Sequence, residues 1–399
     1  MTGDIEYTED CLHLNVWSPT SRPEGQVPVL AWIHGGGFNF GTASYDNYTG
    51  TIIAATTGLV VVSFNYRVGA LGFLNAESPQ APGNMGLLDQ NLALRWIQEN
   101  IAEFGGDPSR VTIFGHSAGA MSVHAHLLSP LSRGLFSRAV LMSGTLQTPD
   151  FVDSAHESIT KGDAVATIVG CAGGDRSLAS HPEGVIECLR TRSADEIVLA
   201  TSEALRAKMF PFLPTFHEEF LPRVPRVAIE KGFFNAVDLL LGVAEDEGAL
   251  SLIIPMREEL LPDDVDHLER NVAESSLHSI VSAWLKGEAK DMVRKYVSVA
   301  PDIFSLRRQY MDYLSDAVFN CPMHVAAEHH SSRGESVYSY VFGHMSSKTT
   351  LPSWMKTPHA FELSYFFGTP VVNKASFTTE DEVVSRMVLH LLRTFATTG

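Results

Sequence analysis

Gly115-His116-Ser117-Ala118-Gly119 follows the run Val111-Thr112-Ile113-Phe114 and opens the stretch Ala120-Met121-Ser122-Val123-His124. A strand, a sharp turn and a helix are expected in that order, with a serine at the turn. Such a turn strains its central residue and exposes the hydroxyl, and the flanking glycines leave room that a side chain would fill. Ser117 is therefore the candidate nucleophile. The pentapeptide alone recurs by chance in loops; its setting between strand and helix gives it weight.

Upstream, Val29-Leu30-Ala31-Trp32-Ile33 ends in His34-Gly35-Gly36-Gly37-Phe38. Acyl transfer puts negative charge on the former carbonyl oxygen, and backbone N–H groups of a glycine loop approach that oxygen unhindered. Gly36 and Gly37 are expected to supply two donors and Ala118 a third. A tight turn after a strand explains one glycine well and three poorly.

The chain has 399 residues, 45% of them hydrophobic, enough for a large core built as one α/β unit. A formal net charge of -17 argues against nucleic acid or an anionic membrane as partner. Met1-Thr2-Gly3-Asp4-Ile5-Glu6 lacks the basic and apolar regions of a secretory leader, and no apolar run reaches the ~18 residues that span a bilayer. Of the four cysteines, Cys11, Cys171, Cys188 and Cys321, the pair Cys171 and Cys188 encloses a Gly-rich polar loop and is expected to form a disulfide, two reduced thiols being the alternative. Asn47-Tyr48-Thr49 is a glycosylation sequon. The sequon favours a secreted or extracellular protein, with a cytoplasmic one as the alternative; four cysteines in a chain of this length prove no compartment.

Apolar runs recur at Val29–Ile33, Leu59–Phe64, Val111–Phe114, Ala139–Met142, Leu239–Val243 and Val337–Phe342, several separated by helical patterns. That alternation implies a mostly parallel sheet with crossover helices. Leu87–Ile97 has apolar residues at three- and four-residue spacing and reads as a helix; Phe104-Gly105-Gly106-Asp107-Pro108 then turns the chain into the serine strand. The region from about Ser154 to Pro225 is less regular and is expected to cap the site.

Longer strings carry a family resemblance. Glu9-Asp10-Cys11-Leu12-His13-Leu14-Asn15-Val16-Trp17, the HGGGF loop, Asn65-Tyr66-Arg67-Val68-Gly69, Gly83-Asn84-Met85-Gly86-Leu87-Leu88-Asp89-Gln90 and the Phe114–Gly119 elbow together resemble the type-B carboxylesterases, the group that includes cholinesterases, within the α/β-hydrolase fold. The resemblance implies a single domain over residues 1–399, a segment missing at either end, and Cys11 and Cys321 without partners. It also implies the Cys171–Cys188 bridge.

The acid and base follow from the same resemblance. Gly242-Val243-Ala244-Glu245-Asp246-Glu247-Gly248 matches the segment that carries the family's acid, at Glu247; on composition Glu245 or Asp246 would serve as well. Pro358-His359-Ala360-Phe361-Glu362-Leu363 matches the segment that carries the base, at His359, one of 16 histidines. The order Ser117, Glu247, His359 is that of the fold's serine hydrolases. The implied reaction is hydrolysis of a small carboxylic ester through an acyl-enzyme on Ser117, with no metal or organic cofactor.

Departures from the cholinesterase pattern narrow the substrate. His116 stands where cholinesterases have Glu, and Ala249, Leu250 and Ser251 stand where an aromatic face is expected, so a choline headgroup loses charge and π-face partners. Phe210 and Phe212 match the acyl-pocket region, with a place in the core as the other reading. His116 and Leu250 complete the expected pocket wall. The alternatives are a non-catalytic adhesion or binding relative, and a lipase or juvenile-hormone-type esterase.

Overall fold

The computed structural model describes residues 8–20, 25–254, 258–265, 267–297 and 300–399. All six runs read as strands join one sheet, with a further strand at its edge. In chain order the strands are β1 (Leu14–Trp17), β2 (Val27–Ile33), β3 (Val60–Phe64), β4 (Gly106–His116), β5 (Arg138–Met142), β6 (Asp238–Ala244) and β7 (Val337–Phe342). They pair in the order β1-β3-β2-β4-β5-β6-β7. Only the β1–β3 pair is antiparallel; every other neighbour is parallel.

Strand β2 shows why the apolar runs are continuous rather than alternating. Val29, Ala31 and Ile33 enter one core cluster, Leu30 and Trp32 the other, and every residue of the strand is buried. Both faces of a parallel sheet must be covered, because its crossovers lay helices on each side. Helix α1 (Thr51–Thr57) and the C-terminal α10 (Thr379–Thr398) cover the Leu30 side through Ile53, Leu389, Leu392 and Phe395. Trp32 is fully buried there, with its ring 5.3 Å from Tyr48, 4.8 Å from Phe114 and 4.9 Å from Phe367. Helices α2 (Met85–Asn100) and α3 (Ala118–Leu128) cover the opposite side through Leu87, Leu94, Ile97, Val123 and Leu127.

The stretch expected to be less regular carries three helices, α4 (Ala155–Ile168), α5 (Pro182–Leu189) and α6 (Ala194–Ala204). Reciprocal caps start two of them: Ser154 with Glu157, and Ser193 with Glu196. Cys171 and Cys188 are joined as a disulfide and tie the end of α4 to α5. Cys11 and Cys321 are free thiols. Beyond β6 come α7 (Arg270–Trp284), α8 (Ile303–Leu314) and α9 (Cys321–Ser331).

Parallel pairing aligns the strand ends that matter. Ile33 is in register with Gly115, and Met142 with both His116 and Gly242. The glycine loop after β2, the elbow after β4 and the acidic loop after β6 therefore leave the same edge of the sheet, the carboxyl edge where open α/β sheets gather ligand-facing loops.

Candidate active site

At the end of β4 the chain reverses in a single residue. Ser117 has φ 58° and ψ -124°, a left-handed conformation unusual for a residue with a Cβ, and it caps α3. Its N–H donates to Met142 O at 2.9 Å, and its carbonyl accepts from Met121 N at 2.9 Å, so the strained residue is held at both ends. The turn needs glycine on its far side: a Cβ on Gly119 would stand 2.1 Å from Ile33 O and 2.8 Å from His34 O. The elbow and the glycine loop thus touch backbone to backbone. Ala118, as the first residue of α3, has an N–H that the helix itself leaves unsatisfied.

The glycine loop is braced from below and above. His34 is buried, its ring stacked 4.3 Å from Tyr66, whose hydroxyl donates to His34 O at 2.8 Å. Burial lowers the His34 imidazole to about 4, so it is neutral near pH 7. Gly37 has φ 60°, and a Cβ there would enter the Phe210 ring at 2.0 Å. Asn39 fixes this contact: its amide donates to Phe212 O at 2.9 Å and accepts from Phe212 N at 3.1 Å. Phe210 is half-buried and packs on Phe151 and Trp284, with centroids 5.5 Å and 5.3 Å away. Phe212 has no exposed surface and belongs to the core beneath.

The three neighbouring acids diverge. Glu245 is exposed and reaches Lys356 Nζ at 2.7 Å. Asp246 is buried and accepts two hydrogen bonds from Arg308, at 2.7 Å and 2.6 Å. Glu247, also buried, lies with Oε2 2.5 Å from His359 Nδ1, while its Oε1 accepts from Ala244 N at 2.7 Å. Backbone pairing sets that meeting, because Asp246 N–H donates to Thr357 O at 2.9 Å and Asp246 bridges to Pro358.

His359 is 4% exposed, and its ring packs 4.3 Å from the ring of His116 and 4.8 Å from Phe319. His116 immediately precedes Ser117, so the imidazole bonded to Glu247 stands beside the elbow. Burial, reinforced by the negative charge of Glu362, pushes the Glu247 carboxyl upward, while the Ser143 hydroxyl, the Ala244 N–H and His116 draw it back down. Burial and His116 hold His359 well below the ordinary imidazole value. Burial thus keeps the His359 imidazole neutral, with its Nδ1 against Glu247.

His116, expected in the pocket wall, is 3% exposed and is engaged by a residue that sequence reading passed over. Its Nε2 lies 3.3 Å from Glu362 Oε1, at ion-pair distance though off the line of a straight hydrogen bond. Glu362 is 1% exposed and also accepts from Ser143 Oγ at 3.3 Å. The signal was present: Glu362 is the one acid in the stretch Ala360-Phe361-Glu362-Leu363-Ser364-Tyr365-Phe366-Phe367, whose apolar residues demand burial. Leu250 is half-buried in the helical turn that follows Glu247.

A mostly parallel, doubly covered sheet with a strained serine at a strand–helix elbow defines an α/β hydrolase. The chain belongs to the carboxylesterase family, whose family model matches residues 1–399. It is similar to an acetylcholinesterase of Bungarus fasciatus, 37% identical over 407 aligned positions that cover 98% of this chain and 64% of that protein. The chain thus spans a little under two thirds of the length of this relative. Among the described residues, no helix is long and apolar enough to cross a membrane.

Proposed function

We propose that the chain is a serine carboxylesterase that hydrolyses small, neutral carboxylic esters. Ser117 Oγ attacks the ester carbonyl while His359 takes its proton; the same proton then goes to the departing alkoxide. Glu247 orients the imidazole and offsets its charge once it is protonated. The backbone N–H groups of Gly36, Gly37 and Ala118 receive the oxyanion. Water repeats the attack on the acyl-enzyme, and no metal or organic cofactor takes part. Phe210 and Leu250 form the acyl-pocket wall, with Phe212 and His116 supporting it from behind.

The observation that carries this reading is the 2.5 Å contact between His359 and Glu247 beside a serine in left-handed backbone. An ordinary acidic loop would have no reason to bury Glu247 against an imidazole. The disulfide and the exposed Asn47 of the sequon fit secretion of the protein as a glycoprotein. Ser117→Ala tests the central claim. Hydrolysis of p-nitrophenyl butyrate should fall at least about 10³-fold with the melting temperature little changed, and an organophosphate adduct should map to Ser117 in the parent chain. Wild-type turnover in the variant, or an adduct on another serine, would refute it.

A further inference from the structure

Glu362 poses a problem of charge. It sits 1% exposed beside a second buried carboxylate, Glu247, and its Oε2 has no hydrogen-bond partner among the described residues. Glu247 is served by Ala244 N and His359, the Ser143 hydroxyl is shared between the two carboxyls, and beyond its own backbone N–H Glu362 has the imidazole of His116. A carboxylate at this depth is costly unless a positive group faces it. His116 is the basic group in contact with it, and its ring lies 4.3 Å from the ring of His359 at a tilt of 45°.

We propose that His116 is a positioning residue for His359: paired with Glu362, it sets a compensating positive charge against the His359 ring and keeps that imidazole in its neutral, proton-accepting form. The proposal rests on the reading of His359 as the base. It makes the residue before the nucleophile an electrostatic governor of the base rather than a contact for the substrate.

The surrounding groups leave this pair as the adjustable element. His359 faces Glu247 from the loop after β6, Glu362 from its own segment, His116 from the elbow and the Phe319 ring from the turn after α8. Tyr340 on β7 faces both carboxylates, and burial holds its phenol well above 10. Tyr48, which faces Glu362, is pushed up to about 12, chiefly by burial. Both phenols stay neutral through the working range. For Glu362, burial acts upward, yet the charge of His116 brings the carboxyl below its ordinary value. On His359, burial is the largest influence; His116 comes next, also lowering its proton affinity, and acts more strongly than Glu362, which raises it. Removing the charge at position 116 should therefore let His359 take up a proton at higher pH, even if Glu362 becomes protonated as a result.

The test is a side-chain ¹⁵N-histidine NMR titration of the full chain, with the His359 signals assigned by their loss in His359→Asn. His116→Gln keeps an amide that can donate to Glu362 and deletes the charge. Its His359 midpoint should rise by about one pH unit, and the acid limb of kcat/KM for p-nitrophenyl butyrate should move up with it. His116→Glu, the residue expected in cholinesterases, adds negative charge and should raise the midpoint further. It carries the same test if the Gln variant does not melt cooperatively. A midpoint unchanged or lowered in a folded variant overturns the proposal, and so does a fall in kcat with an unmoved profile, because packing alone would produce it. Diisopropyl fluorophosphate labelling of the parent chain separates the two readings. Labelling at Ser117 with an unmoved midpoint refutes the His116 role alone; a shifted midpoint without labelling supports that role and refutes the esterase.

Discussion

Glu245, Asp246 and Glu247 are chemically near-equivalent side chains, and the backbone sends each to a different partner. Glu247→Gln should lower kcat by about 10³-fold or more with KM little changed, since in the proposed mechanism the carboxylate serves the imidazolium that forms during acylation rather than the bound ester. Asp246→Asn should instead cost stability, about 3 kcal/mol, because it leaves the Arg308 guanidinium facing a buried neutral amide. Glu245→Gln, whose ion pair with Lys356 is largely in solvent, should stay within about 0.5 kcal/mol and keep its activity. Steady-state kinetics and urea melts on the three variants check the assignment, and a loss of kcat centred on Glu245 or Asp246 would move the acid. At this scale the strained turn at Ser117 was legible from local chemistry alone. Composition did not choose among the three acids; the family resemblance pointed to Glu247, and in the fold the bridge from Asp246 to Pro358, more than a hundred residues away, brings Glu247 to His359. Glu362 went unread because periodicity says that a residue is buried and not what it faces.

Helix α3 must lie directly on the end of β2 if Ala118 N–H and the glycine loop are to share one oxyanion, and Gly119 makes that approach possible. Gly119→Ala would place a methyl 2.1 Å from Ile33 O, so the helix must move off the strand. The expected result is about 3 kcal/mol of lost stability and a loss of activity in the fraction that still folds. Gly184→Ala in α5 is the control, since its nearest atom is the flexible Arg176 Nη2 at 3.6 Å; it should be neutral or stabilise by up to about 1 kcal/mol. Urea melts distinguish the two. At the other end of the chain Asp381 caps α10. Burial opposes its ionisation, but Thr378 N–H, Ser346, His344 and the Thr378 hydroxyl hold it below the ordinary carboxylate range. A depressed folded-state value adds stability above the unfolded value of about 4, and that stability disappears as the pH falls through the folded value. Asp381→Asn should therefore cost most at neutral pH and flatten the acid side of the stability curve, as melts between pH 2 and pH 7 would show. The interior strands were legible because burial on both faces writes them as unbroken apolar runs. Strand β1 escaped that reading, being short, half-buried and antiparallel at the sheet edge. The helices of the 154–204 region escaped it too, although their starts are written in Ser154-x-x-Glu157 and Ser193-x-x-Glu196.

Over the whole molecule two electrostatic effects on a cationic ester oppose each other. A net charge of -17 gathers cations at the surface and speeds their encounter at low ionic strength. At the proposed site two of the expected attractive partners are replaced. His116 takes the place of a carboxylate and is already paired with Glu362, and the residues after the acid offer no ring: Ala249 is fully buried, Ser251 Oγ donates to Gly248 O at 2.6 Å, and Leu250 is aliphatic. Each absent partner is worth about 1 kcal/mol or more to a quaternary ammonium, and contacts within the site are screened by salt far less than surface steering is. At about 0.15 M salt, where the Debye length is about 8 Å, the local deficit should dominate. Acetyl- and butyrylthiocholine should then give kcat/KM about tenfold or more below neutral thioesters of the same acyl chain, and the gap should narrow as salt is lowered because the steering returns. The measurement is kcat/KM for matched pairs of thioesters across a salt series. A thiocholine ester equal to or better than its neutral partner at 0.15 M would mean that some other group at the site receives the cation, and the preference for neutral esters would have to be given up.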